Sequence, residues 1–342
     1  MERPVLAITI GDPASIGPEI AVKALATGGL RDVCRPVVVG DGWSVDRALA
    51  STGVDLTLRT IGHPSEGAFV PGVLDLLEVP VPGAESVVWG KVQEAAGRAA
   101  RAFVERAAAL ALQREADAVV TGPVQKEALK AAGVKEAGHT ELLATIARVP
   151  DPMTMFETGP LRVFFLTRHL SLAEALRRVT ADRVLPALRR ASAALVRLGV
   201  ARPRLAVAAL NPHGGEHGLF GSEEDVEIRP AVEAARAEGI DATGPLPADS
   251  VFWLAAQGRF DGVLSLYHDQ GHIAAKMLDF HRTVSITIGL PFLRTSVDHG
   301  TAFDIAGTGT ASEVSLVEAI RAAARYAPAF RRGSSGTSGR RP

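Results

Sequence analysis

The chain has 342 residues, a length that suggests two domains of about 150 residues each. A composition with 47% hydrophobic and 22% charged residues excludes a disordered chain and is sufficient for a substantial core. Lysine and arginine number 37 against 38 aspartates and glutamates, so the net charge of −1 gives no electrostatic support for binding to nucleic acid or to a membrane surface.

Short apolar runs alternate with longer helical patterns along the chain. The runs that predict strands are Val5–Ile10, Pro36–Gly40, Leu56–Ile61, Val73–Val79, Asp117–Thr121, Arg162–Thr167, Arg204–Leu210, Asp261–Tyr267 and Val284–Ile288. The stretches that predict helices are Pro18–Ala26, Glu94–Arg114, Leu172–Leu198, Ser222–Glu238 and Ala311–Arg325. Such alternation predicts an α/β fold with a mainly parallel sheet. The tail 331–342, rich in Arg, Gly and Ser, predicts a disordered extension.

We expect no targeting or membrane-spanning segment from the apolar runs of the chain. The first apolar run is too short for a signal-peptide core, and no stretch reaches the roughly 18 consecutive apolar residues that a membrane helix needs. We therefore expect a cytoplasmic protein with no membrane partner. The single cysteine, Cys34, lacks the spacing partners of a zinc or redox motif and is predicted to be a small buried hydrophobe.

Three histidines follow the carboxyl ends of predicted parallel strands, namely His169, His213 and His268. In an open α/β sheet those ends lie along one edge, where ligands bind. The three imidazoles could therefore converge on a divalent metal ion, although a single histidine in such a place is more often structural.

Two further histidines compete for the same role, because His217 and His272 each lie four residues after one of the three. The proline and glycines within 212–215 argue against a helix there, whereas a helix that begins near Gly271 would make His272 the better reserve ligand. Asp269 could orient a ligating histidine through a hydrogen bond.

Anion-binding residue types accompany these histidines. His139 and Thr140 precede a short helical pattern whose first N–H groups could face an anion, and Lys276 and Arg294 lie farther along the chain. Together they suggest an anionic small substrate. No GxGxxG motif follows a strand, so a Rossmann fingerprint is not supported.

A resemblance to a known family rests on seven ordered motifs. They are ITIGDPASIGPEI (8–20), TGPVQKEAL (121–129), GHTELLA (138–144), LNPHGGE (210–216), GPLPADSVF (244–252), YHDQGHIAAK (267–276) and LPFLRTSVDHGTAFDIAGTG (290–309). They closely resemble the PdxA family of 4-hydroxythreonine-4-phosphate dehydrogenases and their relatives, over residues 4–326.

The resemblance implies a fold like that of isocitrate and isopropylmalate dehydrogenases. That fold has two α/β/α subdomains with an active-site cleft between them and is not a GxGxxG Rossmann fold. We expect the first subdomain to comprise 1–125 and 295–330, with the cofactor loop, and the second to comprise 126–294, with the metal and substrate ligands.

The resemblance also implies roles for individual residues. The metal ligands are His169, His213 and His268, for one divalent ion (Zn, Mg, Mn or Co). The substrate contacts are His139, Thr140, Lys276, Ser285 and Arg294, and the catalytic candidates are His139, Lys276 and Asp249. NAD, with NADP as an alternative, is expected at Asp298, His299, Gly300, Ala302, Asp304 and Gly307. The family is dimeric, so we expect a homodimer with the active site at the interface and metal ligands from both subunits.

The activity that the resemblance implies is metal-assisted, NAD-dependent oxidation of a 4-phosphorylated hydroxy acid. The first candidate is 4-phosphohydroxy-L-threonine, oxidised to 2-amino-3-oxo-4-phosphooxybutanoate and decarboxylated to 3-amino-2-oxopropyl phosphate for pyridoxal phosphate biosynthesis. The alternative is D-threonate or D-erythronate 4-phosphate in sugar-acid catabolism. More remote alternatives are an acyl-phosphate transferase of the same fold and a non-catalytic binding protein. Ser15 and Ser285 depart from the Gly and Asn common in the family.

Overall fold

The structure is a computed structural model that describes residues 2–335, with side chains through residue 332. The strands are β1 (Val5–Thr9), β2 (Arg35–Gly40), β3 (Thr57–Ile61), β4 (Val73–Glu78), β5 (Ala118–Thr121), β6 (Met153–Thr158), β7 (Leu161–Phe165), β8 (Leu205–Ala208), β9 (Ala242–Leu246), β10 (Gly262–Ser265), β11 (Val284–Ile288) and β12 (Leu293–Val297). The helices are α1 (Gly17–Ala26), α2 (Leu30–Val33), α3 (Gly42–Thr52), α4 (Glu94–Leu112), α5 (Lys126–Ala131), α6 (His139–Ala147), α7 (Leu172–Arg177), α8 (Ala181–Arg197), α9 (Arg229–Ala237), α10 (Ala248–Ala256), α11 (His268–Leu278) and α12 (Val314–Ser335). No helix in this part of the chain is long and apolar enough to span a bilayer.

The chain divides into two compact units, a first unit of Met1–Pro152 with Leu290–Pro342 and a second unit of Met153–Gly289. Residues 290–294, which include Arg294, belong to the first unit because β12 pairs with β5, whereas the sequence placed them in the second subdomain. Residues 126–152, also expected in the second subdomain, likewise belong to the first unit. Close packing of α5 on α4 explains this. Gly97 in α4 makes it possible, because a Cβ at that position would lie 2.0 Å from the carbonyl oxygen of Ala128 in α5.

The first unit is built on strands in the order β3-β4-β2-β1-β5-β12, all paired in parallel. Its central strands are continuously apolar because helices cover both faces of such sheets. Helix α4 packs against β1, β2 and β5 through small residues around Phe103, which is fully buried. Cys34 is also fully buried, as the sequence predicted.

The second unit is built on strands in the order β11-β6-β7-β10-β8-β9. Strands β7, β10, β8 and β9 run parallel, whereas β6 is antiparallel to both of its neighbours, so the expected mainly parallel sheet is mixed here. Its core joins the strands to α10 and α11 through Phe156, Phe165, Val251 and Val263.

Other differences from the predicted elements have local causes. The predicted helix 172–198 is two helices. The first is α7, whose N-terminus is capped by Ser171, and the second is α8, which begins after Thr180. The predicted helix 222–238 begins as one π-helical turn over Glu224–Ile228 before α9.

The carboxyl end of the described chain is helical where the sequence predicted disorder. Helix α12 extends to Ser335, and the Arg331 guanidinium lies 2.9 Å from the Asp117 carboxylate, which ties this end to the start of β5. The remaining part of the predicted tail, 336–342, lies outside the described residues.

Candidate active site

Four neighbouring parallel strands of the second unit end at one edge, and a predicted site residue follows each of them. The strands lie in the order β7, β10, β8 and β9. His169 follows β7, His268 follows β10, His213 follows β8, and Asp249 follows β9. His268 is the first residue of α11, and Asp249 is in the first turn of α10 with an exposed side chain. The sheet therefore gathers at one edge residues that are far apart in sequence.

His169 and His268 are close enough to serve one ion. Their ring centroids are 6.1 Å apart, a separation compatible with two imidazoles that bind a common metal at about 2.0–2.1 Å per nitrogen. His213 does not join them in a group of three, since no cluster of three potential ligands is present among the described residues. The structure thus brings together two of the three predicted ligands.

A left-handed turn carries His213. Backbone φ angles are positive from His213 through Gly218, including 73° at Gly214 and 82° at Gly215. Glycine tolerates this region, and non-glycine residues enter it at an energetic cost. This agrees with the prediction that no right-handed helix runs through 213–217.

The corner that precedes this turn is held by Glu224, which is 1% exposed. Its Oε1 accepts the backbone N–H groups of Leu210 and Asn211 at 2.8 and 2.7 Å, and its Oε2 accepts the Asn211 side-chain amide at 2.9 Å. Glu224 was not predicted as a site residue, because it lies within an acidic cluster at the start of the predicted helix 222–238. Glu224 therefore positions the segment that leads to His213.

Two of the predicted ligands have a carboxylate beside Nδ1. The distances are 2.7 Å from His213 Nδ1 to Glu216 Oε1 and 2.6 Å from His268 Nδ1 to Asp269 Oδ1. Metal-ligating histidines usually hydrogen-bond to a carboxylate or carbonyl through the ring nitrogen that does not bind the metal. The side chains thus fit a divalent ion bound through Nε2, with Asp269 in the orienting position expected for it.

His272 has a packing role beneath this edge. Its ring stacks on His268 at 3.6 Å between centroids and contacts the rings of Phe156 and Phe165, each at 4.4 Å. Burial is the main reason that its pKa falls to about 4, so the ring is neutral at pH 7. Its Nδ1 lies 2.9 Å from the His268 carbonyl oxygen.

Lys276 and Ser285 lie on the same side of the second sheet. Lys276 is in the last turn of α11, with its Nζ 5.3 Å from the centre of the Phe280 ring. Ser285 on β11 is directly opposite Phe156 on β6, and directly opposed residues share a face. Since Phe156 contacts His272 in α11, Ser285 faces α11 as well.

The first unit holds a second group of predicted site residues around Arg294, which is 4% exposed. Its guanidinium donates to Thr121 Oγ1 from Nε at 3.2 Å and from a terminal nitrogen at 2.8 Å, and Ser296 Oγ lies 2.9 Å from the same hydroxyl. This network fixes a buried cation near the carboxyl ends of β5 and β12, in a geometry suited to an anion.

His139 is the first residue of α6, followed by Thr140, as predicted from the helical pattern. Its Nε2 is shielded from solvent and has no hydrogen-bond partner within the described chain. Burial, and then the nearby Arg294 charge, hold the pKa of His139 well below its usual value of 6.5. The imidazole is therefore neutral at pH 7 and can accept a proton or a hydrogen bond.

The predicted cofactor residues form an irregular segment after β12, from Asp298 to Gly307. Asp304 and Gly300 are exposed, Ala302 has a positive φ of 40°, and His299 Nδ1 lies 2.9 Å from the Gly300 carbonyl oxygen. Glu19, which was not among the predicted site residues, is fully buried and accepts the Gly307 N–H at the end of this segment.

Comparisons with known proteins agree with this architecture. Residues 32–323 match the family model described as pyridoxal phosphate biosynthetic protein PdxA. A relative from Symbiobacterium thermophilum, provisionally named a D-threonate 4-phosphate dehydrogenase, is 62% identical over 330 residues, which are 96% of this chain and 98% of the relative.

Solved structures of related enzymes also superpose on this chain. The crystal structure of 4-hydroxythreonine-4-phosphate dehydrogenase from Klebsiella pneumoniae superposes with a TM-score of 0.88 at 44% identity, covering 95% of this chain and 99% of that one. A terephthalate 1,2-cis-dihydrodiol dehydrogenase from Burkholderia xenovorans has a TM-score of 0.66 at 34% identity over 95% and 98% of the two chains. These matches confirm the expected family and fold class, and the dehydrogenase names of the relatives support an oxidoreductase. The chain belongs to the PdxA family.

Proposed function

We propose that this chain is an NAD-dependent dehydrogenase that oxidises the hydroxyl of a 4-phosphorylated hydroxy acid with the help of one divalent metal ion. The observation that carries the proposal is the pairing of His213 and His268 with carboxylates at 2.7 and 2.6 Å. Each pairing fixes the ring and makes Nε2 a better donor to a metal. The chemistry such an ion supplies is stabilisation of negative charge as a hydroxyl is oxidised.

The residues of the first unit supply the complementary chemistry. Arg294, with Thr140, is proposed to bind an anionic group of the substrate, because a buried guanidinium forms strong charge-assisted hydrogen bonds with phosphate or carboxylate. His139 is proposed as the group that receives the hydroxyl proton or its hydrogen bond, because its Nε2 has no partner within the described chain and is shielded from solvent. Lys276, Ser285 and Asp249 are proposed as further substrate or proton-transfer residues of the second unit.

For the substrate we propose D-threonate 4-phosphate or its erythronate isomer. The relative that bears the D-threonate name is 62% identical, against 44% for the Klebsiella 4-hydroxythreonine-4-phosphate enzyme. This reverses the order of the two candidates that the family resemblance implied. 4-Phosphohydroxy-L-threonine remains the second candidate, because that enzyme's structure superposes over nearly the whole chain.

We further propose a homodimer that brings the metal ligands together between two copies of the chain. Large exposed apolar side chains occur on the segments that follow the ligands: Leu172 is 58% exposed after His169, Leu219 is 69% exposed after His213, and Met277 is 81% exposed in the helix that begins at His268. Exposed apolar clusters of this kind are typical of protein interfaces.

The test combines metal removal with one histidine variant. The protein is stripped with a chelator, metal content is measured, and NADH formation is followed with each of the three 4-phosphorylated acids before and after metal is restored. We expect no NADH without metal and full recovery with it. His213→Ala should lose both bound metal and turnover, whereas His281→Ala, an exposed histidine with no proposed role, should lose neither.

Each alternative has its own outcome. Undiminished turnover by verified metal-free protein would refute the metal role. NAD binding without turnover of any acid would indicate a binding protein, and acyl-phosphate transfer without NADH would indicate the transferase. Fastest turnover of 4-phosphohydroxy-L-threonine would favour the second substrate.

A further inference from the structure

One face of α1 is bound to the segment that follows β12. Ile16, Glu19 and Lys23 are spaced three or four residues apart, so they lie along one side of this helix. The Ile16 amide donates to the Thr301 carbonyl oxygen at 3.2 Å, and Lys23 Nζ donates to the carbonyl oxygens of Gly309, at 3.3 Å, and Ala311. The helix thus contacts this segment at three points along one side.

Glu19 is the centre of this attachment. It is fully buried, and its two carboxylate oxygens accept two different backbone amides: Oε1 accepts the Gly307 N–H, and Oε2 accepts the Gly309 N–H at 2.9 Å. A buried carboxylate is retained only where such donors compensate its lost hydration, and charge-assisted bonds of this kind are the stronger ones. One side chain therefore fixes both ends of a tight turn.

The turn requires glycine at two positions. Gly307 and Gly309 have φ angles of +84° and +72°, in the left-handed region. A Cβ on Gly307 would lie 2.0 Å from the Trp89 ring, and one on Gly309 would lie 2.5 Å from the Ser51 carbonyl oxygen. The main chain is therefore pressed against the rest of the first unit, and Glu19 supplies the hydrogen bonds that hold it there.

We infer that Glu19 is a positioning residue for the dinucleotide: it fixes the 298–309 loop in the conformation that receives NAD and takes no part in binding the phosphorylated acid. This inference rests on the proposed function, which assigns NAD to that loop. Binding to a preformed loop avoids the entropic cost of ordering it, so loss of the anchor should weaken dinucleotide affinity and leave affinity for the acid unchanged. Lys23 adds a weaker attachment at the end of the same turn.

The test compares Glu19→Gln with a matched control in the full, metal-loaded protein. Asp75 is also a buried carboxylate, 2% exposed, whose two oxygens accept the amides of Ala68 and Phe69 at 3.0 and 2.9 Å in a different turn of the first unit. Asp75→Asn therefore removes the same kind of bond away from the loop. The Kd for NAD, the KM for NAD and for the acid, and hydrogen exchange of the 298–311 backbone are measured for each variant.

We expect Glu19→Gln to raise both the Kd and the KM for NAD by about tenfold, as loss of a charge-assisted hydrogen bond implies, with the KM for the acid within about twofold. Exchange of the 298–311 amides should accelerate in Glu19→Gln and stay unchanged in Asp75→Asn. Lys23→Gln, on a partly exposed side chain, should give a smaller rise in the KM for NAD and serves as a second variant if Glu19→Gln does not fold.

The outcomes separate this inference from the proposed function. If the unaltered protein binds neither NAD nor NADP, the proposed function fails and the inference fails with it. If the unaltered protein binds NAD and the Glu19 and Lys23 variants bind it equally well, or if the control weakens NAD binding as much, only the inference is overturned.

Discussion

Asp12 lies in the tight turn after β1 and is fully buried. Its Oδ1 accepts the Ala14 amide at 2.8 Å, whereas its Oδ2 is shielded from solvent and has no hydrogen-bond partner in the described structure. Burial is the main cause that raises the pKa of this carboxyl from 3.8 to about 6. Since the folded state binds the proton more tightly than the unfolded chain, Asp12 favours folding at low pH and opposes it above its folded pKa.

The resulting prediction concerns the pH dependence of stability. As pH rises from about 4 to 7, the free energy of unfolding of the unaltered protein should fall relative to that of Asp12→Asn by about 2 kcal/mol, most of the effect that the whole shift represents at 1.36 kcal/mol per pKa unit. Urea unfolding of both proteins across this range measures the difference, in which the other titrating groups cancel. Parallel curves would contradict a raised pKa at Asp12.

At the scale of the element, the corner before the left-handed turn depends on one buried side chain. Glu224→Gln replaces an acceptor of the Leu210 and Asn211 amides with a group that also presents donors, so the segment that carries His213 should loosen. Loss of a residue that orients a ligand typically lowers metal affinity by about 10–100-fold. Metal titration of the chelator-stripped protein measures this.

The control comes from the next residue. Asp225→Asn removes an exposed ion pair to Arg229, 2.9 Å long, within the same π-helical turn. Exposed pairs of this kind contribute little, about 0–1 kcal/mol, so metal affinity should not change. An equal loss in both variants would show that the turn as a whole, and not the Glu224 carboxylate, supports His213.

The elements also show what the sequence could and could not predict. Continuously apolar runs predicted most of the central strands, but the apolar run of β6 is interrupted by Thr154, Glu157 and Thr158. Its polar groups find partners far away in sequence, such as Thr158 Oγ1 with Thr283 Oγ1 at 2.8 Å. Strand β9 contains Pro245, which is tolerated because β9 is at the edge of the sheet.

The sequence likewise predicts one part of the candidate site and not another. Residues that follow the carboxyl ends of parallel strands lie along one edge of the sheet, so the sequence predicted that His169, His213 and His268 share an edge. The structure has all three at that edge. Their spatial order depends on β10 lying between β7 and β8, which chain order does not reveal. Glu19 and Glu224 were missed because their partners are backbone amides of segments distant in sequence, and single-sequence patterns carry no signal for such contacts.

At the scale of the whole molecule, the second unit leaves apolar surface beside its histidines. On α11, Ile273 and Met277 are 61% and 81% exposed, are four residues apart and so share a helical face, and Phe280 follows at 61%. A surface of this kind is costly for a monomer in water, and each large side chain gains about 1.5–3 kcal/mol when it is fully buried. We therefore expect this face to be covered by a second copy of the chain.

Met277→Glu places a charge on that face, so its burial in an interface would be strongly unfavourable. We expect the variant to sediment as a monomer and the unaltered protein to sediment as a dimer. The control Val196→Glu, at an exposed apolar position on α8, should also sediment as a dimer. If the metal ligands come from both copies, metal affinity and turnover must fall together with the dimer. They should recover together at protein concentrations high enough to restore it. If a monomeric variant retained full metal binding, the metal site would not depend on the dimer, and ligands contributed by both copies would be refuted.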